Sequence, residues 1–130
     1  MKPAAKYPGR PILLIDDEAL LLRSFESSLR NAGIDNLMTC SDSREASSIL
    51  SGTEMELIVL DLMMPHVSGM EVLAIAAGTQ PQTPVLVVTA LNDVQTAVEC
   101  MKLGAFDYMV KPIKLEDLLV KLAQAFEKKD

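Results

Sequence analysis

Residues able to do chemistry stand at the ends of short apolar runs. Leu57-Ile58-Val59-Leu60 ends on Asp61, and Ile12-Leu13-Leu14-Ile15 ends on Asp16-Asp17-Glu18. Val85-Leu86-Val87-Val88 ends on Thr89, and the β-prone stretch Phe106-Asp107-Tyr108-Met109-Val110 ends on Lys111. Gathered in one place, the carboxylates would repel. Two unit charges about 4 Å apart do so by roughly 4 kcal/mol at an effective dielectric near 20, so a cation or a proton must join them. All-oxygen ligation selects a hard ion, and a site completed by waters and a phosphate oxygen suits Mg²⁺ better than Ca²⁺. Mg²⁺ beside a carboxylate and a lysine is equipment for phosphoryl transfer, in which cations neutralise the equatorial oxygens while a positioned oxygen attacks in line. Asp61 is then the nucleophile. Its product is an aspartyl phosphate, whose oxygens the Thr89 hydroxyl and the Lys111 ammonium can each hold.

That chemistry requires the four strand ends to share one edge of one sheet. Between the runs lie helical patterns. Leu21, Phe25, Ser28, Leu29 and Ala32 recur at helical spacing before Gly33. Asp42-Ser43-Arg44-Glu45 resembles a capping box ahead of Ala46, Ile49 and Leu50, and Ser68-Gly69-Met70-Glu71 is a Ser-x-x-Glu box ahead of Met70, Leu73, Ala74 and Ala77. Asn92, with Gln95 three residues on, caps a stripe of Val94, Ala97, Val98 and Met101 that ends at Gly104. A last helix carries Leu115, Leu118, Leu119, Leu122 and Phe126. With Leu37-Met38-Thr39-Cys40 as a further strand, five strands alternate with five helices through short connections. This is the signature of an α/β fold with a doubly wound parallel sheet, (βα)₅. Strands one, three and four are wholly aliphatic and belong in the middle; strands two and five carry polar residues and suit the edges. The order 2-1-3-4-5 satisfies both requirements and brings every strand's C-terminal end to one edge.

The chain has 130 residues and a formal net charge of −6. One domain of that size buries enough surface to need no staples. The acidic balance argues against direct binding of a nucleic-acid backbone. No run approaches the roughly 18 apolar residues of a membrane span, and no signal-type apolar region follows the basic N-terminus, so the expectation is a cytoplasmic protein with no membrane association. Cys40 and Cys100 lack metal-type spacing and read as buried thiols, and the eight methionines read as core filler. Residues 1–10 carry proline, glycine and basic residues without periodicity and read as a flexible lead-in, with the fold occupying residues 11–130.

Asp16-Asp17-Glu18, the Asp61-x-x-x-Pro65-x-x-x-Gly69 loop, Thr89-Ala90 and Lys111-Pro112 together resemble the receiver domain of a two-component response regulator, over about residues 11–126. The run from Thr96 to Pro112 is similar to receivers that precede ATPase-type transcription activators. The resemblance implies that Asp61 takes a phosphoryl group from a histidine kinase or phosphotransfer protein. It implies that Asp17 and Asp61 ligate Mg²⁺ directly, Asp16 chiefly through water, and that the Met63 carbonyl is a further ligand. It also implies a switch made of Thr89 and Tyr108, a cis Lys111-Pro112 bond, and a partner or homodimer contact on the surface of the fourth helix, fifth strand and fifth helix. Such a protein is a signalling domain rather than an enzyme. It assists its own phosphotransfer and slow dephosphorylation, and controls an output such as transcription.

Taken singly, each residue has a blander reading. Asp16-Asp17-Glu18 could serve only the dipole of the first helix, Thr89 is an ordinary strand-end hydroxyl, Lys111 a solvated charge, Tyr108 an edge-strand residue and His66 a solvated loop side chain. Met63 and Met64 read as cover for the pocket wall. Convergence on one sheet edge is what raises the others above these readings. A flavodoxin-type binding module shares the strand order, but three acids after strand one would repel a flavin phosphate. A phosphotransfer hydrolase would need an acid where Met63 stands, and the complete acidic pocket argues against a non-phosphorylated scaffold. Met63 and Leu91, each two residues beyond a proposed site residue, have no group that orients a hydrolytic water, so slow loss of phosphate is expected.

Overall fold

The computed structural model describes residues 6–129, with side chains placed for residues 6–127. Strands β1 (Ile12–Ile15), β2 (Leu37–Cys40), β3 (Leu57–Leu60), β4 (Val85–Thr89) and β5 (Asp107–Val110) alternate with helices α1 (Ala19–Asn31), α2 (Ala46–Gly52), α3 (Gly69–Thr79), α4 (Val94–Lys102) and α5 (Leu115–Lys129). A single turn of 3₁₀ helix, Ser43–Glu45, leads into α2. The strands form one sheet in the order β2-β1-β3-β4-β5, and all four pairings are parallel. This is the order the strand compositions require. Every residue of β1, β3 and β4 is buried, whereas β5 is half-buried to exposed.

Strands buried on both faces divide their side chains between two cores. On one face Leu13, Ile15, Ile58, Leu60 and Val87 pack with Leu50 of α2, Val72 and Leu73 of α3 and Cys100 of α4. On the other, Ile12, Leu14, Leu57, Val59 and Leu86 pack with Leu22 and Leu29 of α1 and Leu118 and Leu122 of α5. Each such aliphatic side chain contributes about 1.5–3 kcal/mol on full burial, so this is the term that fixes which way each helix lies. Cys40 and Cys100 are buried free thiols, as expected. Of the methionines, Met55 is completely buried, whereas Met63 and Met101 are about half exposed.

Three helix faces are turned from the expected stripes. In α1, Leu22 rather than Leu21 reaches the core and the cap residue Ala32 is exposed. The buried face of α3 is Gly69, Val72, Leu73 and Ala76, with Ala74 and Ala77 outside. That helix is apolar on nearly all sides, so periodicity alone leaves its rotation open. It also runs through Gly78 to Thr79. In α4 only Cys100 is buried, and the apolar stripe Val94, Val98 and Met101 faces outward. Its cap is Asp93, whose carboxylate accepts from the Gln95 amide at 3.1 Å, rather than Asn92.

Tyr7 to Arg10 fall within the expected lead-in, yet they are tied to the domain. The Tyr7 amide donates to Asp35 at 2.7 Å and the Tyr7 carbonyl accepts from the Asp35 and Asn36 amides. Its ring meets Phe126 edge-on at 6.3 Å, and Arg10 pairs with Glu54 at 2.7 Å. Residues 1–5 of that lead-in lie outside the described residues.

Candidate functional site

Register places the chemistry. Ile15 of β1 lies opposite Leu60 of β3, so Asp16 and Asp61 leave adjacent strands at the same level. The ladder runs one step further: the Asp61 amide donates to the Ile15 carbonyl at 3.0 Å and the Asp16 amide to the Cys40 carbonyl at 3.1 Å. Thr89 lies opposite Val110, and the Lys111 amide donates to the Thr89 carbonyl at 2.8 Å. β1 and β3 also flank the point where the strand order reverses, the place where open α/β sheets bind ligands.

Four of the predicted residues meet there. The Lys111 ammonium lies 2.7 Å from Asp16 Oδ2 and 3.2 Å from Asp61 Oδ2. Asp16 and Asp61 are both 4% exposed, while Asp17 is open to solvent. One carboxylate oxygen from each of Asp16, Asp17 and Asp61 lies within 4.8 Å of the others. The remaining oxygens are held by backbone: Asp16 Oδ1 accepts from the Glu18 amide at 3.0 Å, and Asp61 Oδ1 from the Met63 amide at 3.1 Å. Burial pushes the Asp16 carboxyl above its ordinary range, against the opposing pull of the Lys111 hydrogen bond. Burial also works to lower the Lys111 ammonium. The Asp16 hydrogen bond and the charges of Asp16 and Asp61 outweigh it, and Lys111 ends above its ordinary value.

Thr89 and Tyr108 join this group indirectly. Thr89 is fully buried, its Oγ1 accepting from the Leu91 amide at 3.4 Å, and the half-buried Tyr108 donates its hydroxyl to the Leu91 carbonyl at 2.5 Å. Both therefore bear on one residue of the β4–α4 loop. Burial raises the Tyr108 phenol, so it stays a hydrogen-bond donor across the neutral range. Met63 is 53% exposed, whereas the half-buried Met64 packs against the core. His66 is exposed, as expected of a solvated side chain, and it adopts a left-handed backbone with φ 71°. The Lys111-Pro112 bond is cis.

Sequence reasoning gave Ser43 no role beyond a capping motif. In the structure its hydroxyl donates to the Pro65 carbonyl at 2.6 Å and accepts from the Val67 amide at 3.0 Å. A serine inside a helix-start pattern carries no sign of such a long-range contact.

Residues 12–123 match the family model described as the response regulator receiver domain. The chain belongs to that family. It is a receiver domain of the two-component response regulators. Among curated relatives, the alginate biosynthesis transcriptional regulatory protein AlgB of Pseudomonas aeruginosa is 36% identical over 127 residues, covering 98% of this chain and 28% of the relative. The chain thus spans less than a third of that protein. Among solved structures, the beryllofluoride-activated NtrC4 receiver domain dimer superposes with a TM-score of 0.85 at 30% identity, covering 92% of this chain and 98% of the other. A response regulator from Burkholderia pseudomallei, solved with a phosphorylated aspartic acid, calcium ion and citrate, gives 0.81 at 28% identity, covering 91% and 69%. Among the described residues, no helix is long and apolar enough to cross a membrane.

Proposed function

We propose that this receiver domain takes a phosphoryl group onto Asp61 from a histidine kinase or phosphotransfer protein, with Mg²⁺, and that the Thr89–Tyr108 pair transmits the change to the α4–β5–α5 surface. The observation that carries the reading is the Asp61 carboxylate itself. It is buried at the sheet's C-terminal edge, has one oxygen on the Met63 amide and the other beside Lys111, and is flanked by two more carboxylates.

The donor set fits a divalent cation. Three carboxylates face one ammonium, which leaves two negative charges to neutralise, and every donor is oxygen. Asp17 and Asp61 would hold the ion directly, Asp16 chiefly through water, and the Met63 carbonyl would complete the protein's share. When bound, Mg²⁺ supplies charge neutralisation for the incoming phosphoryl oxygens. In the transfer an Asp61 oxygen forms the new bond to phosphorus as the bond from phosphorus to the donor imidazole breaks, and the imidazole leaves with that electron pair. Lys111, already charged and placed, stabilises the oxygens that pass through the transition state. A phosphoryl group beyond Asp61 draws the Thr89 hydroxyl toward it. The Leu91 amide then loses its acceptor, and the Leu91 carbonyl that anchors Tyr108 moves with it.

Several features support α4–β5–α5 as the surface that reads out the change. Val94, Val98 and Met101 of α4 and Val110 of β5 are exposed apolar residues. A homodimer contact is the expected use, with control of transcription as the output in a longer protein. The test is Asp61→Asn. This variant is expected to take no label from acetyl phosphate and Mg²⁺ under conditions that label the wild type, and undiminished labelling would refute the assignment.

A further inference from the structure

The loop from Asp61 to Gly69 carries the Met63 amide that holds Asp61 and the Met63 carbonyl proposed as a metal ligand. Near its start it is braced from within: Met64 and Gly69 both donate their amides to the Leu62 carbonyl, at 3.2 and 3.1 Å. Its tip is His66, in a left-handed conformation that residues with side chains seldom adopt and keep only where their surroundings fix it. The groups on either side of that tip, the Pro65 carbonyl and the Val67 amide, are both bound by one hydroxyl, that of Ser43.

Ser43 lies in the turn between β2 and α2 and is 4% exposed. Its carbonyl accepts from the Ala46 amide within the turn, while its hydroxyl bonds Pro65 and Val67. The helix start is capped by Asp42, whose carboxylate accepts from the Arg44 amide at 3.0 Å and from the Arg44 guanidinium at 2.8 Å. Those hydrogen bonds hold the Asp42 carboxyl down at about 2. The cap is therefore complete and ionised without Ser43, and the serine hydroxyl is turned across to the neighbouring loop.

We propose that Ser43 is a positioning residue for phosphoryl transfer: by clamping Pro65 and Val67 around His66 it fixes the loop that presents Met63 to Asp61 and to the cation. The proposal rests on the reading of Asp61 as phosphoryl acceptor with Mg²⁺. Groups that orient metal ligands through hydrogen bonds change metal affinity by roughly 10–100-fold when removed. Ser43 acts two residues away from Met63, so the lower end applies.

The experiment compares Ser43→Ala and Ser43→Thr with the wild type, first without metal and then in an Mg²⁺ titration at constant ionic strength, both followed by amide NMR. In Ser43→Ala the Val67 amide is expected to exchange about tenfold faster, with the amides of β1 unchanged, and Mg²⁺ affinity to fall roughly tenfold. Ser43→Thr keeps the hydroxyl and is expected to stay within about threefold of the wild type on both measures. Mg²⁺ affinity within about twofold of the wild type in folded Ser43→Ala overturns the proposal, even if Val67 exchange rises, since the serine then ties the loop without positioning the site. If Ser43→Ala does not fold, the wild type decides: a Val67 amide that exchanges at the unprotected rate overturns the clamp. None of these readouts uses phosphate. Labelling of Asp61→Asn would refute the acceptor assignment separately and would leave the Ser43 measurements to be judged on their own.

Discussion

Gly69→Ala tests how tightly the Asp61 loop is built. Gly69 opens α3, and its backbone lies against the segment that leaves β3. A Cβ at this position would stand 2.3 Å from Leu62 Cα, 2.5 Å from the Asp61 carbonyl oxygen and 3.0 Å from the Leu62 carbonyl carbon. Carbon pairs settle near 3.5 Å, so the two segments must part by about 1 Å. All three atoms are backbone, and no side chain can swing aside to relieve them. Overpacking of this kind costs about 3 kcal/mol, the upper end of the usual range. Against it stands the gain of alanine over glycine in a helix, at most about 1 kcal/mol. The balance is a loss of about 2 kcal/mol, or roughly 6–10 °C in melting temperature for a domain of this size. Because Asp61 itself is displaced, the rate of labelling by acetyl phosphate should fall by roughly a hundredfold at a temperature where the variant is folded, the usual consequence of a 1 Å misplacement. Gly78→Ala is the matched control. It lies in the same helix with nothing within 4 Å of the added carbon, so it should be neutral or stabilising by about 0.5–1 kcal/mol. Thermal melts of the three proteins, followed by labelling rates, decide the matter. A Gly69→Ala protein as stable as Gly78→Ala would refute the packing argument.

Two further predictions concern the same pocket. Met63→Asn places a water-orienting amide two residues after Asp61, where the native side chain has none. One hydrogen bond to the attacking water is worth about 0.5–1.5 kcal/mol of barrier, so phosphate loss from the labelled protein should accelerate about 2–12-fold, and an unchanged or longer half-life would count against it. Asp16→Asn probes the buried carboxylate without Mg²⁺. The folded state raises the Asp16 carboxyl above its ordinary value of 3.8, so the native protein holds that proton more tightly than the unfolded chain. The Asp16 contribution to stability is therefore largest below the ordinary value and declines as the pH rises through the raised one. At pH 7 the variant should melt higher than the wild type, and the gap should close as the pH falls through that window. A lower melting temperature for Asp16→Asn at pH 7 would mean that its pairing with Lys111 outweighs burial.

The sheet was legible because burial on both faces leaves a compositional mark. Only Ile12 to Ile15, Leu57 to Leu60 and Val85 to Val88 are aliphatic throughout, and placing those three strands centrally leads to the order that the structure has. Once the order is known, register does the rest, since Asp16, Asp61 and Lys111 each follow the last residue of a paired strand. Helix rotation was less legible. Leu20-Leu21-Leu22 offers three adjacent apolar residues, of which packing buries Leu22 and leaves Leu20 79% exposed. Ser43 was not legible at all, because its partners are backbone groups of Pro65 and Val67, more than 20 residues away, and backbone groups carry no sequence signature.

The α4 stripe shows where a sequence pattern and its usual meaning separate. Val94, Val98 and Met101 recur as they would on a core-facing helix, and periodicity cannot say on which side the core lies. Here the core side is the thinner one. Cys100 is the one buried residue of α4, against Gly69, Val72, Leu73 and Ala76 in α3. A helix so weakly anchored has little apolar burial to lose when it shifts, and local stability follows such burial. Its outward stripe keeps Val94 80%, Val98 43% and Met101 47% exposed. Leu91, bonded by both Thr89 and Tyr108, sits in the loop that leads into this helix. In the proposed switch, a small change at the pocket edge is therefore delivered to the helix that resists it least, and that helix already presents the apolar surface a partner would cover.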